Sequence, residues 1–128
     1  MYIDYDRKAH DWHSAWNSRD AKAICGLYAD NVVFISPFVA KLGLSERGVL
    51  TDIRALYDYV SMTLSRVANL KYDMVANCVG SQGQTIVYRN QSSHIVAETL
   101  EYNDEGLIRL ANVAFSTAPI KRKNYGSR

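Results

Sequence analysis

The chain has 128 residues, 48% of them hydrophobic and 22% charged, with a formal net charge of +2. That is enough for one domain and too little for two, and the composition is that of an ordinary globular protein. No apolar run approaches the ~20 residues that a membrane-spanning helix needs. The acidic start, Met1-Tyr2-Ile3-Asp4-Tyr5-Asp6, lacks the apolar stretch of a secretory signal, so a cytoplasmic protein with no membrane partner is expected.

The charge is unevenly spread. Lys121, Arg122, Lys123 and Arg128 make residues 118–128 a basic tail without acids, and the body at 1–117, read as a single domain, is slightly acidic. Four solvated charges are a thin basis for nucleic-acid binding, and no nucleic-acid partner is expected. Cys25 and Cys78 have neither CxxC nor zinc spacing, and both read as small buried hydrophobes.

A first helix is expected from about Asp6 to Asn17, with Ala9, Trp12 and Trp16 as its apolar stripe. Asp20 can cap a second helix, in which Ala21, Ile24, Cys25 and Tyr28 fall on one face. Asn31 to Pro37 reads as a strand, rich in β-branched residues and closed by proline. Phe38 to Gly48 reads as irregular. Thr51 can cap a third helix, whose inner stripe is Ile53, Leu56, Tyr57, Val60, Leu64 and Val67.

After Asn69 the period changes from helical to alternating. Lys71–Val79, Gln84–Gln91, Ser93–Tyr102 and Leu107–Thr117 read as four strands, with Gly80-Ser81-Gln82-Gly83 and Asn103-Asp104-Glu105-Gly106 as hairpin turns. Short turns pair successive strands antiparallel. Early helices followed by a meander give an α+β fold with helices on one face of a curved antiparallel sheet.

This order, together with Trp16-Asn17-Ser18-Arg19-Asp20, Leu27-Tyr28-Ala29-Asp30-Asn31-Val32-Val33-Phe34, Gly48 and Tyr102-Asn103-Asp104-Glu105-Gly106-Leu107-Ile108, resembles the nuclear transport factor 2-like superfamily. Within it, the chain resembles the SnoaL-like (polyketide cyclase) and ketosteroid isomerase-like branch. The resemblance covers about Asp6 to Thr117. It implies a cone-shaped sheet, a cystatin-like roll, wrapped around three N-terminal helices with an apolar pocket inside, and a homodimer through the outer sheet face. The fold hosts isomerases, cyclases, dehydratases, hydrolases and binding domains, so it does not fix a reaction.

The resemblance also implies site positions. Ketosteroid isomerases carry a proton-shuttling aspartate before the proline of the first strand; Ser36 stands there, and an unactivated serine has no usable base form. Their oxyanion-donating tyrosine on the first helix is matched by Trp12, whose indole N–H can donate one hydrogen bond. Their third group, an aspartic acid on the second-last strand, is matched by Glu98. One of three groups therefore survives in kind. The catalytic aspartate of SnoaL-like cyclases on the late strands has no match between Leu107 and Thr117.

Alternation places His94, Val96, Glu98, Leu100 and Tyr102 on one face of their strand, and the resemblance turns that face inward. A carboxyl in an apolar cavity has a raised pKa, which suits general acid or base work. With inverted parity, Glu98 is solvated or pairs with an arginine across a dimer interface. His94 lies about 13 Å from Glu98 along the strand, at the pocket mouth or on the surface. Trp12, Trp16, Tyr28, Tyr57 and Tyr88 are candidate wall residues, each an apolar body with a hydrogen-bond handle. On the last strand either Arg109 or Asn112 can be the inward polar group, not both. His10 and His13 share a helix face and Asp6 lies four residues before His10, but no third ligand is otherwise apparent, and no metal is expected.

Two functions fit. One is an acid–base isomerase, cyclase or dehydratase, needing no cofactor, in which Glu98 moves a proton on a small hydrophobic molecule. The other is a binding or dimerisation module of the same fold.

Overall fold

Residues 2–121 are described in the structure, a computed structural model; of the basic tail 118–128, residues 122–128 lie outside the described residues. The first helix, α1 (Tyr5–Ser18), starts where the Asp4 carboxylate accepts from the Arg7 amide and ends on Arg19 in the left-handed region, at φ 60°. Its stripe of Ala9, Trp12 and Trp16 is buried.

Helix α2 (Ala21–Cys25), capped by Asp20, is only five residues long. Tyr28, expected on its buried face, instead opens strand β1 (Tyr28–Ile35). Pairing of Tyr28 with Ile108 carries the strand back through Asp30 and Ala29, against their low strand propensity. The stretch expected to be irregular holds a fourth helix, α3 (Pro37–Lys41), with Ser36 as cap and proline at its first turn. It is followed by the short strand β2 (Val49–Leu50).

Helix α4 (Ile53–Arg66) is capped by Asp52, one residue beyond the expected Thr51. It buries Leu56, Tyr59, Val60 and Thr63. Tyr57 is 47% exposed and does not belong to the inner stripe. It follows Leu56 by one residue, about 100° round the helix, and so leaves the buried face.

The meander follows as β3 (Asp73–Val79), β4 (Gln84–Arg89), β5 (Ile95–Tyr102) and β6 (Ile108–Phe115). The six strands form one sheet in the order β2-β1-β6-β5-β4-β3. All pairs are antiparallel except β1 with β6, which is parallel because helices and β2–β5 separate them in the chain. Register shifts between Met74 and Ala76, and between Glu101 and Tyr102, let the sheet bend without closing. Gly83 allows β4 to begin close to β5, because a Cβ there would lie 2.0 Å from the Leu100 carbonyl oxygen.

The core lies between the concave face and α1, α2 and α4, and includes Trp12, Ile24, Leu56, Val60, Ile86 and Leu100. Cys25 is buried as expected, and burial pushes its thiol up to about 11. Cys78 is exposed, because β3 is an edge strand covered little on either face. No described helix is long and apolar enough to cross a membrane.

Candidate functional site

On β5 the buried residues are Val96, Glu98 and Leu100, so the glutamate side chain points to the concave face. On β4 the same face carries Gln84, Ile86 and Tyr88. Glu98 pairs across with Ile86 and Val113, and Tyr88 sits one pleat further along β4. From there the Tyr88 hydroxyl donates to Glu98 Oε1 at 3.1 Å. Glu98 Oε2 is buried without a hydrogen-bond partner. The Trp12 indole N–H lies near enough to lower the pKa of the carboxyl, yet completes no hydrogen bond of ordinary geometry.

Glu98 is 2% exposed, and burial pushes its pKa from 4.5 up to about 7, against the smaller opposing pulls of Tyr88 and Trp12. At neutral pH it therefore exists in both protonation states. Tyr28 and Tyr88 are pushed well above the phenol range, by burial first and by the Glu98 charge second. Tyr72 is raised by burial, then by Tyr59 and Glu98. Phenols held this way remain protonated and act as hydrogen-bond donors.

Glu98 lies on the wall of a cavity of about 430 Å³, a size ordinary for small-molecule sites. Its aromatic wall is Trp16, Phe34, Tyr59, Tyr72 and Tyr88. The rings interlock, with Tyr72 and Tyr88 centroids 4.4 Å apart, Trp12 and Tyr88 4.9 Å, and Phe34 and Tyr59 5.1 Å. Thr63, Gln91 and His94 add polar groups. Glu98 is the one carboxylate among the described lining residues.

Tyr72 is positioned by an uncommon tether. Asn17 accepts from the Tyr72 amide at 2.9 Å and donates to its carbonyl at 3.0 Å, while His13 Nε2 lies 2.7 Å from the same carbonyl. His13 thus works inside the fold, and His10 is exposed. Among the described residues no group of three or more histidine, cysteine, aspartate or glutamate side chains could hold a metal ion.

The other candidate residues separate into three groups. Trp16, Ser36, Tyr88 and His94 line the cavity with Glu98. Ser36 uses its hydroxyl to accept from the Phe38 amide at 3.2 Å, and its backbone is locked by Gly48, where φ is +73° and a Cβ would lie 2.6 Å from the Ser36 carbonyl oxygen. Trp12 and Tyr28 are buried behind the wall, with Trp16 Nε1 donating to Tyr28 Oη at 3.4 Å.

Tyr57, Arg109 and Asn112 lie off the cavity. The expected choice between Arg109 and Asn112 has neither answer. Tyr102 pairs with Ile108 and Glu101 with Leu110, so Arg109 is the extra residue of a bulge. The bulge switches the inward set from Ile108 to Ala111 and Val113. Arg109 forms an ion pair with Glu101, and Asn112 is exposed.

Sequence reasoning missed Tyr59, Thr63, Tyr72 and Gln91. For the first two the signal was present, since Leu56, Tyr59, Val60 and Thr63 repeat at helical spacing. Tyr72 and Gln91 lie at element ends, where no period applies.

No protein-family model and no curated protein matches the chain. Solved structures do. A SnoaL-like protein of unknown function from Burkholderia thailandensis superposes with a TM-score of 0.83 at 21% identity, covering 88% of this chain and 93% of that one. SalBIII, an epoxide hydrolase/cyclase-like enzyme with a role in pyran ring formation in the polyether salinomycin, gives 0.71 at 12% identity over 88% and 91%. A protein with a ketosteroid isomerase-like fold from Catenulispora acidiphila, in complex with trimethylamine, gives 0.67 at 15% over 86% and 85%. Likeness at these identities speaks for the fold and leaves the reaction open. The chain therefore has the NTF2-like cone fold, in the form seen in SnoaL-like and ketosteroid isomerase-like proteins.

Proposed function

We propose that the protein is a cofactor-independent enzyme of isomerase, cyclase or dehydratase type, in which Glu98 transfers a proton to or from a small, largely apolar molecule in the cavity. The observation that carries this reading is the unpartnered Oε2 of a buried carboxyl whose pKa is about 7, on the wall of a cavity. Its protonated form can give a proton to a carbonyl, hydroxyl or epoxide oxygen, and its ionised form can take one from an adjacent carbon or hydroxyl. Tyr88 holds Oε1 and leaves Oε2 as the exchanging oxygen. The protonated phenols of Tyr59 and Tyr72 supply hydrogen bonds to substrate oxygens without competing for the proton.

The three-group ketosteroid isomerase constellation is not the mechanism offered, since Ser36 is engaged as a helix cap and Trp12 lies behind the wall. That same economy of polar groups favours a second reading, in which the cavity binds a metabolite without turnover.

The test is turnover of a panel of small epoxides, enones and β-hydroxy ketones by the native protein and by Glu98→Gln, followed by mass spectrometry. Conversion by the native protein that falls at least a hundredfold in the variant supports the enzyme reading. Equal conversion by both removes Glu98 from the mechanism.

We also infer a homodimer through the outer sheet face, where Val75 is 54% exposed. Light scattering showing a monomer at micromolar concentration would exclude it.

A further inference from the structure

Four buried side-chain polar atoms have no hydrogen-bond partner among the described residues: Trp12 Nε1, Thr63 Oγ1, Gln91 Oε1 and Glu98 Oε2. Three of these residues line the one cavity that holds Glu98, and Thr63 lies near the Tyr59 hydroxyl without completing a hydrogen bond of ordinary geometry. An unmade buried hydrogen bond costs about 1–3 kcal/mol, so such atoms are seldom left together without a use. Elsewhere among the described interior residues only Trp12 Nε1 is left over, and Gln84 shows the ordinary arrangement. Gln84 donates to the Tyr5 carbonyl and to Asn77, and accepts from Tyr102. The orphaned atoms therefore mark a wall built for an occupant that carries oxygen atoms of its own.

The rim of the same cavity carries Lys41 and Arg66, the last residues of α3 and α4, both exposed. Neither takes part in an ion pair among the described residues. A basic residue at a helix end usually serves the carbonyls there. At the end of α4 that task belongs to Arg19, whose guanidinium donates to the Leu64 and Val67 carbonyls at 2.9 and 3.0 Å. At α3 the Leu42 and Gly43 amides take the Phe38 and Ala40 carbonyls. Among the described residues two cations without an ion pair thus stand at the rim, with the one lining carboxylate buried below them.

We propose that the occupant is an oxygen-bearing, ring-containing monocarboxylate, its carboxylate held at the rim by Arg66 and Lys41, its ring against the aromatic wall, and its inner oxygen at Glu98 Oε2. Guanidinium and ammonium groups together suit a carboxylate that stays partly hydrated. The flat faces of Tyr59, Tyr72 and Tyr88 suit a ring system. Thr63 and Gln91 serve further hydroxyl groups. This rests on the reading of Glu98 as the group at which chemistry occurs, and narrows it to one substrate class.

Calorimetric titration with a hydroxynaphthoate, its methyl ester and the unsubstituted naphthoate tests this without requiring turnover. At low salt the hydroxy acid is expected to bind about tenfold more tightly than its ester. That preference should shrink as salt is raised and vanish in the Lys41→Gln, Arg66→Gln double variant, while ester affinity stays the same. The hydroxy acid is also expected to bind severalfold more tightly than the plain acid, an advantage lost in Glu98→Leu. Equal binding of acid and ester, an acid preference that survives in the double variant, no gain from the hydroxyl, or no saturable binding by any of the three overturns the proposal. A Glu98 without a role in proton transfer would leave the acid preference standing, and loss of that preference would leave the turnover comparison of Glu98→Gln untouched, so the two failures are distinguishable.

Discussion

Gln84 and Glu98 are both 2% exposed, on neighbouring strands and the same face of the sheet, yet they are used in opposite ways. Gln84 spends every polar atom inside the protein. Its amide donates to Tyr5 O at 2.9 Å and Asn77 Oδ1 at 2.7 Å, and its carbonyl accepts from Tyr102 Oη at 2.5 Å. This network fastens the start of α1 to β3, β4 and β5. Nearby, Lys8 donates to the Gly106 carbonyl at 2.8 Å and completes the clasp. Glu98 makes one hydrogen bond and leaves its other oxygen bare on a cavity wall. A saturated polar group in a core holds elements together; an unsaturated one beside a void keeps bonding capacity for something else.

The largest test of that contrast is catalytic. Glu98→Gln keeps shape and removes the exchangeable acid, so turnover of any substrate the native protein converts should drop at least a hundredfold. Gln84→Leu should leave turnover per folded molecule unchanged. Equal losses in both would erase the distinction between the two ends of the interior.

A second effect is read in stability. The Glu98 pKa is raised in the folded state, from 4.5 to about 7, so the folded protein binds more protons than the unfolded chain between those values. Its contribution is fully present below pH 4.5 and is lost as pH rises through about 7, a total of about 3 kcal/mol. Denaturant unfolding from pH 4 to pH 8 should show that loss in the native protein. Glu98→Gln should not show it and should be the more stable of the two at pH 8.

Next in size is Gln84→Leu, which leaves the Tyr102 hydroxyl and the Asn77 and Tyr5 carbonyls short of a partner and should cost about 2 kcal/mol. Its destabilisation should be the same at pH 5 and pH 8. Tyr88→Phe removes the donor that lowers the Glu98 pKa, so the upper end of the pH-dependent stability loss should move above pH 7, with about 1 kcal/mol lost.

The smallest effect is expected at Thr63→Val. The hydroxyl there is orphaned, so its loss should change stability by less than about 0.5 kcal/mol, or raise it. A large destabilisation would mean that Thr63 is engaged within the fold.

The elements themselves were legible because each depends on short-range pattern. Trp12 and Trp16 at helical spacing predict α1, and alternation from Val96 to Leu100 puts Glu98 with two residues that the structure buries. Where reading by pattern stumbled, a local event had broken the period. Ser36-Pro37 starts a one-turn helix in a stretch that reads as loop, and the bulge at Arg109 inverts the parity of β6 near its start. Tyr57 read as inward from its spacing to Ile53 and Val60, although the buried face of α4 is centred on Leu56, Tyr59, Val60 and Thr63 and leaves it outside.

The sequence by itself determined the α+β order, the inward row of β5 and the presence of a carboxyl among apolar neighbours, because periodicity is written in the spacing of side chains. Only the tertiary structure decided which polar atoms are saturated. Asn17 grips Tyr72 across 55 residues, Gln84 reaches Tyr5 across 79, and Thr63, Gln91 and Glu98 meet on one wall from two sides of the chain. Hydrogen-bond partners are matters of distance and angle between segments far apart in the chain, and no local pattern encodes them.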